Sequence, residues 1–170
     1  MEEEPDAYLD IETTGLCPFY DEITVIGICL ATHTQSQLIQ LVGREITPAN
    51  LLRTLRPANT IYTYNGANFD LPFINFRLGI DLAEHFRHHD LMHDCWRNNL
   101  YGGFKAVERQ LGISRQLCHI RGADAVTLWW RYKNNQDEKA LNLLLNYNKE
   151  DVLNLMALRR RLEKLSFRVY

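Results

Sequence analysis

The sequence lacks the features that mark a membrane protein, a zinc knuckle or a thiol redox protein. Its longest apolar run, residues 23–31, is far shorter than the roughly 20 residues that a membrane-spanning helix needs. Its four cysteines include no CxxC pair, and we expect them to be reduced, buried thiols. The acidic start, MEEEP, has none of the positive charge of a targeting segment. We therefore expect a soluble cytoplasmic protein.

A strong net charge is also missing. The 19 lysines and arginines nearly balance 21 acidic residues, which gives a formal charge of -2 and an isoelectric point near 6.3. Such a chain has no global positive field to attract nucleic acid, so a partner of that kind must be held by local contacts. The 170 residues, 46% of them hydrophobic, predict one domain over residues 1–170 with a full core.

The hydrophobic pattern predicts strands in the first half of the chain and helices in the second. The predicted strands are residues 7–11, 23–32, 37–42, 61–64 and 86–91. The predicted helices are residues 48–55, 71–78, 104–111, 123–133 and 137–165. Short connections make the first three strands an antiparallel meander. The order of elements predicts an α/β fold, a mixed sheet with helices on its faces.

Four carboxylates in three separated motifs, YLDIETTGL, YNGANFDLPF and YNKEDV, are the most informative feature. They are Asp10, Glu12, Asp70 and Asp151. Residues two apart on a strand share a face, and so do residues four apart on a helix. Asp10 and Glu12 should therefore project together from the first strand, and Tyr147 should point the same way as Asp151. Asp70 stands at a strand-to-helix junction.

Carboxylates that converge without a cation raise one another's pKa, and a pair of divalent metal ions removes that conflict. Magnesium and manganese prefer carboxylate oxygen and water as ligands, so these ions are favoured over zinc. Two such ions about 3.5 to 4 Å apart can clamp an in-line displacement at phosphorus. The predicted reaction is phosphodiester hydrolysis. The phenol of Tyr147, with an ordinary pKa of about 10, suits orienting a water better than deprotonating it.

Each motif also has a purely structural interpretation. The DxE motif followed by TTG is ordinary turn chemistry, Asp70 can be a helix N-cap, and Tyr147 and Asp151 can lie on an exposed helix face. The occurrence of all three motifs, in this order and on suitable elements, favours the metal site over these alternatives.

The motifs DxE at residues 10–12, NxxxFD at 65–70 and YxxxD at 147–151 resemble the DEDDy subgroup of DEDD exonucleases in the ribonuclease-H-like superfamily. Two branches are similar, namely the proofreading domains of family B DNA polymerases and the smaller bacterial exonuclease domains of the YprB type. The second fits better, because FKAVERQLGISR and LNYNKEDVLNL also resemble it and the match covers nearly the whole chain.

The resemblance implies a five-stranded mixed sheet, its first three strands antiparallel, with helices on both faces. It implies 3′–5′ removal of nucleoside monophosphates from single-stranded DNA or RNA ends, with two Mg²⁺ or Mn²⁺ ions. The implied metal ligands are Asp10, Glu12, Asp70 and Asp151, and Tyr147 would position the attacking water. The residues implied to line the pocket of the terminal nucleotide are Thr13, Thr14, Gly15, Leu16, Asn65 and Phe69.

Two other functions stay open at this point. One is a catalytically inactive module of the same fold that binds nucleic acid or acts as a scaffold. Such a module has no need of all four acids and the tyrosine, so their presence argues against it. The other is a structure-specific endonuclease or ribonuclease that uses the same ions, which a comparison of circular with linear strands would distinguish.

Three further groups of residues have competing interpretations. The run HHDLMHD, residues 88–94, resembles a second metal cluster, but neighbouring residues of a strand alternate faces, which favours a structural role. Trp129 and Trp130 favour core packing over base stacking. The basic residues 159–161, with Lys164 and Arg168, either complement the dipole of the last helix or form a strip that contacts phosphates.

Overall fold

The structure is a computed structural model that describes residues 4–166. Five strands form one mixed sheet in the order β3-β2-β1-β4-β5. The strands are β1 (Asp6–Thr13), β2 (Ile23–Ala31), β3 (Ser36–Val42), β4 (Thr60–Thr63) and β5 (Arg87–Asp90). Strands β1, β2 and β3 are antiparallel, whereas β4 runs parallel to β1 and β5 parallel to β4. The predicted mixed sheet with an antiparallel meander is confirmed.

Helices cover both faces of this sheet. They are α1 (Pro48–Leu55), α2 (Asp70–Leu78), α3 (Leu82–His85), α4 (Leu91–Arg97), α5 (Phe104–Leu111), α6 (Gly122–Asn135) and α7 (Glu138–Ser166). The sequence did not predict α3 and α4. Both are too short to produce a clear helical period, and α4 begins directly at the end of β5, with Asp90 as its N-cap.

The ends of several helices follow from local sequence. Thr47 caps α1 by accepting a hydrogen bond from the Asn50 amide, and Pro48 occupies the first helical position, as predicted. Gly79 and Gly112 end α2 and α5 in the left-handed conformation. The interpretation of Asp70 as an N-cap is wrong. Phe69 is the N-cap of α2, and the Asp70 carboxylate accepts a hydrogen bond from the Ile11 amide on β1 instead.

Strand alternation divides β1 between two cores. Ala7, Leu9 and Ile11 are buried against α1, α2 and α3 on one face of the sheet. Tyr8 is buried on the other face, against α4, α5 and α7. Asp10 and Glu12 share the face of Tyr8 because they are two and four residues farther along the strand. The two acids are therefore directed toward α7.

Gly27 on β2 allows α7 to pack closely over the sheet. A Cβ atom at this position would lie 2.1 Å from Oδ1 of Asn148 on α7. That oxygen accepts a hydrogen bond of 2.9 Å from Nε2 of Gln40 on β3, which fixes the amide in place. The close approach brings the middle of α7, where Tyr147 and Asp151 lie, next to the end of β1.

The expectation of buried thiols is only partly correct. Cys29 and Cys95 are buried, Cys17 is partly exposed and Cys118 is exposed because it lies in the connection between α5 and α6. Within residues 4–166, no helix combines the length and the apolar character needed to cross a bilayer.

Several side chains of residues 88–94 form hydrogen bonds that connect neighbouring parts of the fold. Nε2 of His88 lies 2.9 Å from Oγ1 of Thr63, while the His89 ring contacts Asp94. The carboxylate of Asp90 accepts three backbone N–H groups, from Asn65, Ala67 and Met92. Asp90 therefore fixes the turn after β4 and the start of α4.

The other two groups also take mainly structural positions. Trp129 is buried and Trp130 is 45% exposed, so the two tryptophans divide between core and surface. Arg159 donates to Asp6 and to the Tyr8 hydroxyl at the start of β1, far along the strand from Glu12. Arg160 and Arg161 are exposed, and Arg168 lies outside the described residues.

Candidate active site

Three carboxylates from two elements meet beside the central strand of the sheet. Asp10 and Glu12 extend from β1, and Asp151 extends from α7. One oxygen of each lies within 4.8 Å of the other two. Oxygen ligands lie about 2.0 to 2.6 Å from a bound magnesium or calcium ion. Two ligands of the same ion therefore lie at most about 5 Å apart. The three carboxylates can therefore bind one cation together.

The hydrogen bonding of Glu12 also fits a cation. Glu12 is buried, and its Oε1 atom has no hydrogen-bond partner among the described residues. A buried carboxylate oxygen with neither a donor nor a counter-ion is costly. A divalent metal ion would satisfy this oxygen, and the all-oxygen set of ligands suits magnesium or manganese.

The acids perturb one another strongly. Burial, followed by the charge of Asp151, raises the pKa values of Asp10 and Glu12 well above their usual range. Burial raises the pKa of Asp70 to about 7. Burial also raises the pKa of Asp151 to about 6, against the lowering effect of the neighbouring Arg115 charge. Without a metal ion, the site therefore retains protons that isolated carboxyl groups would have lost at neutral pH.

Asp70 lies beside the three-carboxylate group without being part of it. Its Oδ1 atom accepts the Ile11 amide at 3.1 Å, and this bond holds the first turn of α2 against β1. Its charge nevertheless contributes to the raised pKa values of Asp10 and Glu12. The structure thus brings three of the four predicted ligands together and places the fourth next to them.

Tyr147 lies one helical turn before Asp151 on α7 and is only 6% exposed. Burial and the charges of Asp151 and Glu12 raise the pKa of its phenol. The hydroxyl therefore keeps its proton at neutral pH. On the side of α5, Nζ of Lys105 lies 4.5 Å from the centroid of the Tyr147 ring, which brings a positive charge close to the acids.

Sequence reasoning missed a buried ion pair that holds Asp151. Nη2 of Arg115 donates to Oδ1 of Asp151 at 2.5 Å and to Oε1 of Glu108 at 2.6 Å, and Nε donates to Oε2 of Glu108 at 2.8 Å. The Arg115 side chain is 5% exposed. One signal was present: Glu108 falls on the apolar stripe of α5 with Phe104 and Leu111, where an acid requires a partner.

Asn148 is a second residue that the sequence analysis did not select. Its Nδ2 atom donates to Oδ2 of Asp10 at 3.1 Å and lies 3.3 Å from the Asp10 carbonyl oxygen. Asn148 is fully buried, and Gln40 fixes its orientation. Its role depends on the packing of α7 over Gly27, which no local pattern encodes.

A cavity of about 400 Å³ lies beside the carboxylates, between β1, the N-cap residue of α2, α6 and α7. Four of the six residues predicted at the pocket of the terminal nucleotide line it: Thr13, Gly15, Leu16 and Phe69. Thr14 and Asn65 do not line it, and their implied place beside the terminal nucleotide stays a prediction. Thr14 Oγ1 accepts the Glu22 amide within the loop after β1, and Asn65 shapes the turn after β4 with a positive φ.

A five-stranded mixed sheet that carries acids on its central strand and on its last helix defines a ribonuclease-H-like domain. The chain belongs to the RNase H superfamily, whose family model matches residues 7–163. This confirms the superfamily that the sequence motifs indicated. Among curated protein sequences, none matches the chain.

Solved structures share the fold at low sequence identity. An apo form of a nuclease is 22% identical with a TM-score of 0.63, over 96% of this chain and 73% of that one. NrnC from Brucella melitensis with bound Mg²⁺ is 21% identical with a TM-score of 0.61, over 94% of this chain and 72% of that one. The family B DNA polymerase from Pyrobaculum calidifontis is 15% identical with a TM-score of 0.70; the match covers 95% of this chain and 25% of the polymerase.

Proposed function

We propose that this protein is a metal-dependent 3′–5′ exonuclease of the DEDDy type, which hydrolyses phosphodiester bonds at single-stranded DNA or RNA ends. The observation that carries the proposal is the group formed by Asp10, Glu12 and Asp151, with oxygens within 4.8 Å of one another and Oε1 of Glu12 unpartnered. The shared fold with a nuclease and with Mg²⁺-bound NrnC supports it.

The residues that would hold two Mg²⁺ or Mn²⁺ ions are Asp10, Glu12 and Asp151, with Asp70 at their side. When bound, such ions supply positive charge that neutralises the acids and polarises the phosphate. The chain's own cations compensate part of this acidity. Arg115 holds Oδ1 of Asp151, which leaves the Oδ2 oxygen of that carboxylate for a metal ion.

Tyr147 is proposed to orient the attacking water. Its raised pKa keeps the phenol protonated, so the hydroxyl can hold a water by hydrogen bonding but is not a base at neutral pH. The water oxygen forms a bond to phosphorus as the bond from phosphorus to the 3′ oxygen breaks. The products are a nucleoside 5′-monophosphate and a shortened strand, whose 3′ oxygen takes up a proton.

The cavity beside the carboxylates is proposed to hold the terminal nucleoside. Leu16 is 84% exposed at its entrance and Phe69 lies on its wall, so both offer apolar surface to a base. Thr13 and Gly15 also line the cavity and are proposed to lie along the sugar of this nucleoside. The resemblance of the DIETTGL and YNGANFDLPF segments to DEDDy exonucleases implies the same positions.

The test is hydrolysis of short single-stranded DNA and RNA, labelled at the 5′ or the 3′ end, with Mn²⁺, with Mg²⁺ or with EDTA. We expect the 5′-labelled strand to shorten stepwise, the 3′-labelled strand to release labelled mononucleotide at once, and EDTA to stop both. Asp10→Asn should lower the rate on the order of 100-fold or more, because it removes a ligand charge. Asp94→Asn is the matched control, because Asp94 pairs with Arg97, and it should keep the wild-type rate of hydrolysis.

Two outcomes would contradict the proposal. Full activity of Asp10→Asn, or activity that persists in EDTA, would reject the metal site. Cleavage of a circular single strand at the rate of the linear one would indicate an endonuclease instead.

A further inference from the structure

A row of three residues crosses the sheet beside the carboxylates. Asp10 on β1 is the register partner of Gly27 on β2, and Gly27 is the partner of Gln40 on β3. Register partners share a face of the sheet, so Asp10 and Gln40 both lie on the side of α7, with the glycine between them. Because neighbouring strands are about 4.8 Å apart, the two outer positions are about 9.5 Å apart. The glycine leaves a gap in this row.

Asn148 of α7 fills the gap above Gly27. A Cβ atom on Gly27 would lie 2.1 Å from Oδ1 of Asn148, so a larger residue at position 27 would displace the amide. Asn148 is fully buried and forms hydrogen bonds with Gln40 and with Asp10, the two ends of the row. Its side chain therefore connects β3 to a carboxylate of the candidate active site.

The hydrogen bonds along this row have a fixed direction. The Leu145 carbonyl can only accept, so Gln40 turns its Nε2 atom toward α7 and donates to that oxygen at 2.8 Å. The same nitrogen donates to Oδ1 of Asn148 at 2.9 Å. The amide of Asn148 must then turn its Nδ2 atom toward Asp10, whose ionised carboxylate can only accept.

Asn148 holds Asp10 at two points. Its Nδ2 atom donates to Oδ2 of Asp10 at 3.1 Å and to the main-chain oxygen of the same residue at 3.3 Å. The carboxylate is thus fixed relative to its own backbone, in the place where it meets Glu12 and Asp151. A ligand that is already oriented loses less conformational freedom when it binds a metal ion.

We propose that Gln40 and Asn148 are positioning residues for the metal site and that they act in series. Gln40 orients the amide of Asn148, and Asn148 orients the carboxylate of Asp10. We refer to Gln40 and Asn148 as the amide relay. The inference rests on the metal site of the proposed function, and it makes a residue of β3 a determinant of metal affinity.

The test measures the Kd for Mn²⁺ without nucleic acid, from the electron paramagnetic resonance signal of free Mn²⁺. Asn148→Leu and Gln40→Met remove the two amides and keep side chains of similar size. We expect the Kd to rise about ten-fold in Asn148→Leu and about five-fold in Gln40→Met, because each change loosens the orientation of a metal ligand. Gln37→Met, at an exposed position of the same strand, is the matched control and should change the Kd less than about two-fold.

The double variant shows whether the two residues act in series. If Gln40 acts only through Asn148, the double variant Gln40→Met, Asn148→Leu should have the Kd of Asn148→Leu alone, about ten-fold above the wild type. A rise of about fifty-fold, the product of the two single effects, would mean that each change weakens the site separately and would overturn the relay. Far-UV circular dichroism checks that each variant is folded. If Asn148→Leu does not fold, the Kd of Gln40→Met decides, and a value equal to that of the wild type overturns the relay.

Hydrolysis separates this inference from the proposed function. With Mn²⁺ near its wild-type Kd, Gln40→Met should lower kcat and leave KM for a single strand within about two-fold, since the relay acts on the metal site and not on the strand. A protein whose variants show the expected Kd values but which hydrolyses no nucleic acid would keep the relay and reject the exonuclease. Mn²⁺-dependent hydrolysis by the wild type, together with an unchanged Kd in Gln40→Met, would overturn the relay and keep the exonuclease.

Discussion

Tyr147 shows how its surroundings set the chemical properties of a buried side chain. It lies 6% exposed among acids, and a raised pKa keeps its proton in place. Nζ of Lys105 lies 4.5 Å from the centroid of its ring, which lines the cavity beside the carboxylates. The hydroxyl is thus a fixed dipole beside the carboxylates, which is suited to orienting a water.

Tyr147→Phe removes this hydroxyl and keeps the ring. We expect kcat for a single-stranded substrate to fall roughly ten- to a hundred-fold, because the attacking water is less well oriented, while KM stays within about two-fold. Steady-state hydrolysis with Mn²⁺ measures both. Tyr132→Phe, at a ring that packs on Trp129 away from the site, is the matched control. A larger loss in kcat than that of Asp10→Asn would mean that the phenol does more than orient water.

Residue patterns predicted only part of the site. Alternation along β1 and the four-residue spacing on α7 placed Asp10, Glu12, Tyr147 and Asp151 correctly on two facing elements. Arg115 could not be found this way, since it lies in a connection without regular periodicity and reaches its partners only through the packing of α5 on α7. The partners of a buried charge in a loop depend on tertiary contacts, which a local sequence pattern does not show.

At the scale of elements, the connection between α5 and α6 is attached to α7 by charge. Glu150 accepts the amides of Gln116 and Leu117 at 2.5 and 3.0 Å, and Arg115 joins Glu108 to Asp151. Asn154 donates to Glu108 at 2.7 Å from the next turn of α7. This network fixes the position of the Asp151 carboxylate relative to β1.

Arg115→Met should therefore reduce stability as well as activity. We expect the free energy of unfolding to fall by about 3 to 5 kcal/mol, because the change leaves the buried Glu108 carboxylate without its counter-ion. Urea unfolding in EDTA measures this loss. The double variant Arg115→Met, Glu108→Gln should recover more than about 1 kcal/mol, since the unpaired charge is gone. Additive losses in the double variant would show that the two residues act independently.

Elements with strong local signals were predicted well, and elements without them were not. Short sequence motifs predict the cap of α1 at Thr47 and the glycines that end α2 and α5. No such motif predicts the start of α4, because Asp90 is both the last residue of β5 and the N-cap of the helix. No turn residues separate β5 from α4, so the sequence contains no turn signal between the strand and the helix.

At the scale of the whole molecule, the near-neutral net charge of -2 hides a strong local imbalance. Asp10, Glu12, Asp70 and Asp151 lie close to one another at the end of the central strand, and Lys105 and Arg115 are neighbouring cations. The repulsion among these acids lowers the free energy of unfolding when they are ionised. The stability of the protein should therefore depend on pH and on metal ions in a way that average charge does not indicate.

Asp70 gives this dependence its sign. Its pKa is about 7 in the folded protein against an ordinary value of 3.8, so between these values the folded state binds more protons than the unfolded state. Stability therefore falls as pH rises through this window, and the cost above pH 7 is on the order of 4 kcal/mol at most. Asp151, with a folded pKa of about 6, acts in the same direction.

Asp70→Asn removes this cost and keeps a side-chain oxygen that can accept the Ile11 amide. In EDTA we expect the variant to melt only about two to four degrees above the wild type at pH 4.5, where the cost is about 1 kcal/mol, and clearly farther above it at pH 8. Mn²⁺ at about 100 times its Kd should stabilise the wild type by about 2.7 kcal/mol, and the variant by less because a nearby charge is missing. Thermal melts from pH 4.5 to 8, with EDTA or Mn²⁺, measure both effects. A gap in EDTA that does not widen with pH would mean that Asp70 keeps an ordinary pKa, and an unchanged melting temperature in Mn²⁺ would mean that the carboxylates bind no metal ion.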